Sequence, residues 1–425
     1  MRSATEETVL PCPRCGAEIR TDRRFTTWCA ACDWNVDPIE PDERPGRLER
    51  ARRRIAHRYG ERLLAEMTGR TGQPPRRPRR DVASVLAYAI ALCVHGVTAG
   101  LSVGGVLLVV LGWGGALPVL GAFLLGLAWI LRPRFARLPD DAPVLHRADA
   151  PRLFALIDEV AAVAPTAGVH AVAVTADVNA SVCTYGIGQR RLLTLGLGLW
   201  EIMTPQERIA LLGHELGHFA HGDTRHGVVI ANALRSLDAW RYLLAPISNP
   251  GVLEMVLNLV YLPLHTVVQG VTMLLDQLTL RAAQRAEYLA DTTAARAGST
   301  EAAVALMDRV LVGGSAEALL LREANARQVR GSRAEREEAW RGLWDRLAAH
   351  VASVPESEYE RLRRAGTLRG HGVDSTHPPT HLRRACLLAA VPAPAAVCVD
   401  ADPEAAIADE LAGAKGELAR QALRG

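Results

Sequence analysis

Between Val82 and Leu131 the chain carries no Asp, Glu, Lys or Arg. An uncharged run of this length exceeds a single membrane span or a buried core helix. It suits two apolar helices of ~20 residues each, the length that crosses a bilayer. A transmembrane helical hairpin over 82–131 is therefore expected, turning at Gly112–Gly115 ahead of Pro118 or at Gly100–Gly105. Arg76, Arg77, Arg79 and Arg80 precede the run, and Arg132, Arg134 and Arg137 follow it. Basic flanks stay on the cytoplasmic side, so both ends of the hairpin are expected in the cytoplasm of an integral cell-membrane protein. Residues 1–30 are polar and lack the apolar stretch of a secretory signal, which agrees with that placement. Cys93 and His95 fall inside the first span, where packing or helix–helix bonding is their expected role.

Four of the eight cysteines sit in one short stretch, as Cys12-Pro13-Arg14-Cys15 and Cys29-Ala30-Ala31-Cys32. Two Cys-x-x-Cys knuckles separated by 13 residues have the spacing of a four-thiolate structural zinc site, a zinc ribbon over residues 1–40. The metal would supply folding energy that so short a segment cannot draw from a core. Two disulfides are the competing reading, and a cytoplasmic location disfavours them. Phe25, Trp28 and Trp34 are expected to pack this small fold, and a protein partner there is more plausible than nucleic acid. Residues 41–81 form an Arg-rich linker with a juxtamembrane helix between Arg47 and Met67, the basic run facing acidic lipid heads.

The chemistry-bearing pattern lies further on, at His214-Glu215-Leu216-Gly217-His218. On a helix the two imidazoles stand one turn apart on one face and can grip one zinc ion, with Glu215 beside it as a base for zinc-bound water. Thr204, Pro205 and Glu207 read as a helix start with a capping box, which puts the motif on a helix. His221 and Thr224 stand where an extended three-histidine version of the motif would need Gly and His. The third ligand must come from elsewhere. His221, Asp223 and His226 are near in sequence, and a second helix offers Glu287 and Asp291 one turn apart. No Ser or Cys nucleophile arrangement competes.

These residues resemble a known family, the membrane-embedded M48 zinc peptidases. The resemblance rests on His214 through His218 with Gly222-Asp223, on Arg285 through Asp291, and on Ser375-Thr376-His377-Pro378-Pro379 followed by Arg383. It covers roughly residues 145–390 and the preceding hairpin. It implies His214, His218 and Glu287 as ligands of a catalytic Zn²⁺, Glu215 as general base, and Asp291 as a support behind a ligand. It gives His377 as a donor toward substrate or oxyanion. It gives Asn179-Ala180 as part of a substrate-binding edge strand, although Ser181-Val182 replaces the family's usual continuation.

The expected fold is α+β and mostly helical: a gluzincin-type zinc protease domain with a small β-sheet over 140–391, joined to the hairpin and the N-terminal ribbon. Helices are expected at 149–163 and 228–244, and strands at 169–176, 179–185 and 191–195. Residues 252–275 are apolar apart from Glu254, with Pro263 near their middle, and are expected to contact the membrane. Residues 392–425 are expected to form a tail, Pro/Ala-rich at first, with the last twenty residues a short helix or frayed end. The function this implies is a membrane-bound zinc-dependent endopeptidase acting on peptides or proteins. The alternative is a membrane-anchored zinc-ribbon adaptor on an inactive protease scaffold.

Overall fold

The computed structural model describes residues 8–38, 47–69, 82–113, 115–133, 135–220, 223–329, 337, 339–369 and 378–422. The side chains of Asp223 and His226 are outside this description, as are His221, His377 and Arg76 through Arg80.

At the N-terminus β1 (Thr8–Pro11) and β2 (Glu18–Thr21) pair as an antiparallel hairpin. Ile19 and Trp34 pack around the cysteines. Helix α1 (Arg47–Thr68) follows. It is not a free juxtamembrane helix. Leu63 is buried, and Tyr288 donates to the Gly60 carbonyl at 3.2 Å. An Arg281–Glu66 ion pair of 2.9 Å ties its far end to the same neighbouring helix.

The uncharged run folds as α2 (Val82–Leu111) and α3 (Leu117–Leu131), turning at the Gly112 site. The two arms are unequal, 30 and 15 residues. The extra half of α2 does not pair with α3. Its small residues Ala87 and Ala91, with Val94, pack against Ala233, Leu237, Trp240 and Leu275. His95 Nε2 donates to the Val229 carbonyl at 3.0 Å, and Trp240 Nε1 to the Leu131 carbonyl at 3.2 Å.

A four-stranded sheet comes next. It contains β3 (Val144–Leu145), β4 (Ala171–Thr175), β5 (Ala180–Tyr185) and β6 (Arg190–Gly196), with α4 (Pro151–Val163) between the first two. The spatial order is β3-β4-β6-β5. β4 runs parallel to β6, with Ala171 opposite Leu192, and β5 runs antiparallel to β6, with Ala180 opposite Leu195. β5 is thus an edge. One face of the sheet, with Val172, Val174, Leu193 and Leu195, is covered by Leu153, Phe154, Ile157 and Val160 of α4. That is the burial expected of alternating strand residues against one stripe of a helix.

The remainder is helical: α5 (Leu197–Trp200), α6 (Pro205–Ala220), α7 (Asp223–Leu243), α8 (Val252–Gly298), α9 (Thr300–Leu311) and α10 (Gly313–Val329). Then come α11 (Leu343–Ala352), α12 (Glu356–Arg369), α13 (Thr380–Ala389) and α14 (Ala401–Ala422). α14 is core rather than tail. Ile407, Leu411 and Leu418 are buried in the main cluster, and Glu410 accepts from the first amides of α4, Arg152 N at 2.8 Å and Leu153 N at 2.9 Å. A carboxylate there satisfies orphan N–H groups and complements the helix dipole.

Helix α8 runs unbroken for 47 residues through Pro263, about 70 Å at 1.5 Å per residue. Its first half exposes Val252, Leu253, Leu259 and Val267, and its second half is buried in the domain. Among the described residues α2 and α8 are long and apolar enough to cross a membrane. The ribbon is seated on α12. Arg361 donates to the Val36 carbonyl at 2.9 Å, Arg364 to Ala30 O at 2.7 Å and Asp33 at 2.9 Å, and Arg369 to Asp37 at 2.8 Å.

Candidate metal centre

The motif helix α6 begins as its capping residues predict. Thr204 N donates to Glu207 Oε2 at 2.9 Å, and Glu207 N to Thr204 Oγ1 at 3.4 Å. Ile209, Leu212 and Leu216 are fully buried, so the apolar face holds α6 against the sheet and fixes which way His214 and His218 point.

The close approach of α6 to α8 depends on two glycines. A Cβ on Gly213 would stand 2.9 Å from Ala297 Cβ and 3.0 Å from Ala294 Cα, and one on Gly217 would stand 2.9 Å from Ala290 Cα. Mid-helix glycine costs ~1 kcal/mol relative to alanine. Here it lets the two backbones come close enough for Glu287 to reach the histidines. The spacing Gly-x-x-x-Gly opposite Ala290, Ala294 and Ala297 is visible in the sequence, but its meaning requires knowing that the two helices pair.

His214, His218 and Glu287 converge. His214 Nε2 and His218 Nε2 are 3.3 Å apart, His214 Nε2 and Glu287 Oε2 3.5 Å, and His218 Nε2 and Glu287 Oε1 3.6 Å. A tetrahedral zinc ion with bonds of ~2.0–2.1 Å holds its ligand atoms ~3.4 Å apart. The triangle therefore has the edge lengths of a zinc ligand set, and two imidazoles with one carboxylate are its donor chemistry. Glu215, 6 % exposed, lies beside the triangle and lines the same cleft.

Behind His214 stands Asp291, with Oδ1 3.0 Å from Nδ1. An acceptor on Nδ1 puts the proton there and turns the Nε2 lone pair toward His218 and Glu287. Arg383 of α13 in turn donates to Asp291 at 2.8 and 2.6 Å, and its NH1 lies 3.3 Å from Glu287 Oε2. Burial works against the Arg383 charge, yet Asp291, Glu287 and Glu215 around it hold its pKa above the ordinary guanidinium value. The sequence marked Arg383 as a motif member without giving it a role. Its partner lies 92 residues away in the chain, a distance no local pattern bridges.

The histidines and carboxylates open into a cleft of about 640 Å³ between the β5 edge and α7. Asn179 and Ala180 line it at the start of β5. Asn179 Oδ1 accepts from Ala180 N at 2.9 Å, and its carbonyl accepts from Gly196 N at 2.9 Å, which pins that end of the strand. Pro378, Pro379 and Thr380, which follow His377 in the chain, also line the cleft.

The second cluster is the ribbon's. Cys12 and Cys32 sulfurs lie 3.7 Å apart, those of Cys15 and Cys29 3.6 Å, and all four lie within 4.8 Å of one another. A disulfide would need ~2.05 Å, whereas zinc with Zn–S bonds of ~2.3 Å spaces its sulfurs ~3.8 Å apart. These four residues fit a tetrahedral zinc ion and not two disulfides.

The profile described as Peptidase family M48 matches residues 148–391, which contain strands β4 to β6, the motif helix, Glu287 and Arg383. A curated relative, a Protease HtpX homolog of Methanothermobacter thermautotrophicus, is 30% identical over 123 residues, 27% of this chain and 45% of that protein. The match thus spans less than half the length of that relative. No solved structure matches the chain.

Proposed function

This chain belongs to peptidase family M48, and from that premise we propose that it is a membrane-bound zinc-dependent endopeptidase, cutting polypeptides in the cleft between β5 and α7. The observation that carries the reading is the triangle of His214, His218 and Glu287 with Glu215 beside it in an open cleft. Bound zinc would act as a Lewis acid toward the scissile carbonyl and make attack by water feasible at neutral pH.

The residues of the chain supply the rest. Among the described residues β5 is the edge strand, and an extended substrate would add to it as a further strand, aligning its carbonyl over the metal triangle. Glu215 takes the proton of the attacking water on its carboxylate and delivers it to the leaving amine nitrogen. Asp291 keeps the His214 proton on Nδ1, and Arg383 keeps Asp291 in place. His377 is a further donor candidate on the strength of its motif alone. The four ribbon thiols would hold a second, structural zinc ion.

The site would work close to a bilayer. The apolar half of α8 ends at Asp276, and Glu287 follows eleven residues later on the same helix, ~16 Å along its axis. The Arg clusters that flank α2 and α3 support a cytoplasmic ribbon and active site. The test is proteolysis by the full chain in lipid discs. The wild type should cleave an unfolded polypeptide in a zinc-dependent manner, and Glu215→Gln should not. Equal cleavage by both would remove this reading.

A further inference from the structure

One wall of the cleft carries a charge that the hydrolytic chemistry does not use. On α7 the described residues that line the cleft are Gly227, Val228, Ala231 and Arg235, which fall on one helical stripe. The opposite stripe of α7, with Ala233, Leu237 and Trp240, is buried against α2 and α8, so α7 cannot rotate to withdraw Arg235. Arg235 is an exposed residue, and its guanidinium donates to Asn232 Oδ1 at 2.6 Å. Across the cleft, burial pushes the Cys183 thiol up and the Arg235 charge pulls it partly back, so the guanidinium sits within electrostatic reach of β5. Among the described lining residues, the other charged side chains belong to the metal triangle, to Glu215 or to the Arg383 clamp.

Resting on the peptidase reading above, we propose that Arg235 is a specificity-determining residue that selects a carboxylate on the substrate strand lying against β5. A strand added to β5 turns alternate side chains to each face, and a guanidinium fixed on the facing helix would pair with a carboxylate carried toward it. Arginine suits this because its planar fork matches a carboxylate in two parallel bonds. The carboxylate is either an Asp or Glu side chain or a free chain end, and the two differ in where the cut falls.

The test uses the full chain in lipid discs and fluorescent peptides in which Glu, Gln or Lys is placed at each position in turn, with free or amidated C-termini. Cleavage is read as kcat/KM, and binding as anisotropy on Glu215→Gln protein. At one position Glu should be favoured over Gln by about three- to tenfold, an ion-pair effect of ordinary size, and the preference should shrink as salt is added. Arg235→Gln should flatten it and Arg235→Glu should reverse it toward Lys, with zinc content unchanged. Loss on amidation in place of a positional preference would assign the carboxylate to the chain end. Cleavage without a carboxylate preference, or a preference that survives in Arg235→Gln, overturns the proposal and leaves the peptidase reading intact. Charge-selective binding without cleavage does the reverse, and neither binding nor cleavage removes both.

Discussion

Arg383 and Asp291 form a buried bidentate pair, at 2.8 and 2.6 Å, directly behind the imidazole of His214. The pair joins α13 to α8, and through His214 it reaches α6. The three helices that build the site are thus fixed to one another at one point. Removing only one member leaves a buried charge without its partner, which costs ~3–5 kcal/mol, whereas replacing both by apolar residues is often close to neutral.

Arg383→Leu should therefore lower stability by ~3–5 kcal/mol, and Arg383→Leu with Asp291→Leu should recover most of that loss. Zinc affinity should not recover, because His214 has lost the acceptor on Nδ1. Denaturant unfolding alongside zinc titration of each variant checks this. A double variant with wild-type zinc affinity would show that Asp291 does not support the ligand.

Glu215→Gln should retain zinc and lose ~10²–10⁴ in rate, the usual cost of losing a general base. The measurement is peptide cleavage at equal zinc content. Activity within a few-fold of wild type would exclude Glu215 from proton transfer.

Among the described residues two clusters can hold zinc, so at least two ions per chain are expected. Glu287→Ala should leave one, held by the four cysteines, and abolish cleavage. Asp291→Ala should weaken zinc binding at the His214, His218 and Glu287 triangle by ~10–100-fold, as loss of a ligand's hydrogen-bond partner does. Metal analysis of a variant in which Cys12 and Cys15 are both Ser isolates the second site. If Glu287→Ala in that background still binds zinc tightly, the ligand assignment is wrong.

Gly217→Ala should cost ~1–3 kcal/mol through overpacking, since its new methyl group would meet the Ala290 backbone. Separating α6 from α8 also moves Glu287 away from both histidines, so zinc affinity should fall together with stability. Leu216→Met, a volume-conserving core swap on the same turn, should leave zinc affinity unchanged. Zinc titration of both variants separates the helix-spacing effect from a general loss of packing.

A reporter fused ahead of Arg76 should be read in the cytoplasm, given the Arg flanks of α2 and α3. An external signal there would place the ribbon thiols in an oxidising compartment and overturn the orientation.

The sequence by itself determined what depends on local spacing. The missing charges from Val82 to Leu131 pointed to an apolar helical hairpin, because two helices of ~20 residues can remove so long an uncharged run from water. Thr204 and Glu207 fixed the start of the motif helix, and the four-residue step from His214 to His218 put both imidazoles on one face. The spacing of the two Cys-x-x-Cys knuckles favoured a four-thiolate centre over two disulfides. The tertiary structure decided what depends on contacts distant in sequence. That Glu287 completes the triangle follows from α6 and α8 packing through Gly213 and Gly217, and Arg383 meets Asp291 only because α13 docks behind α8. Residues 252–275, read in the sequence as a membrane-contacting stretch, form the apolar half of the helix that carries Glu287. The C-terminal residues read as a Pro/Ala-rich stretch ending in a short helix or frayed tail, yet α14 is core, with Ile407, Leu411 and Leu418 buried in the main cluster. Periodicity records which face of a helix is apolar, and only the assembled chain records which partner covers it.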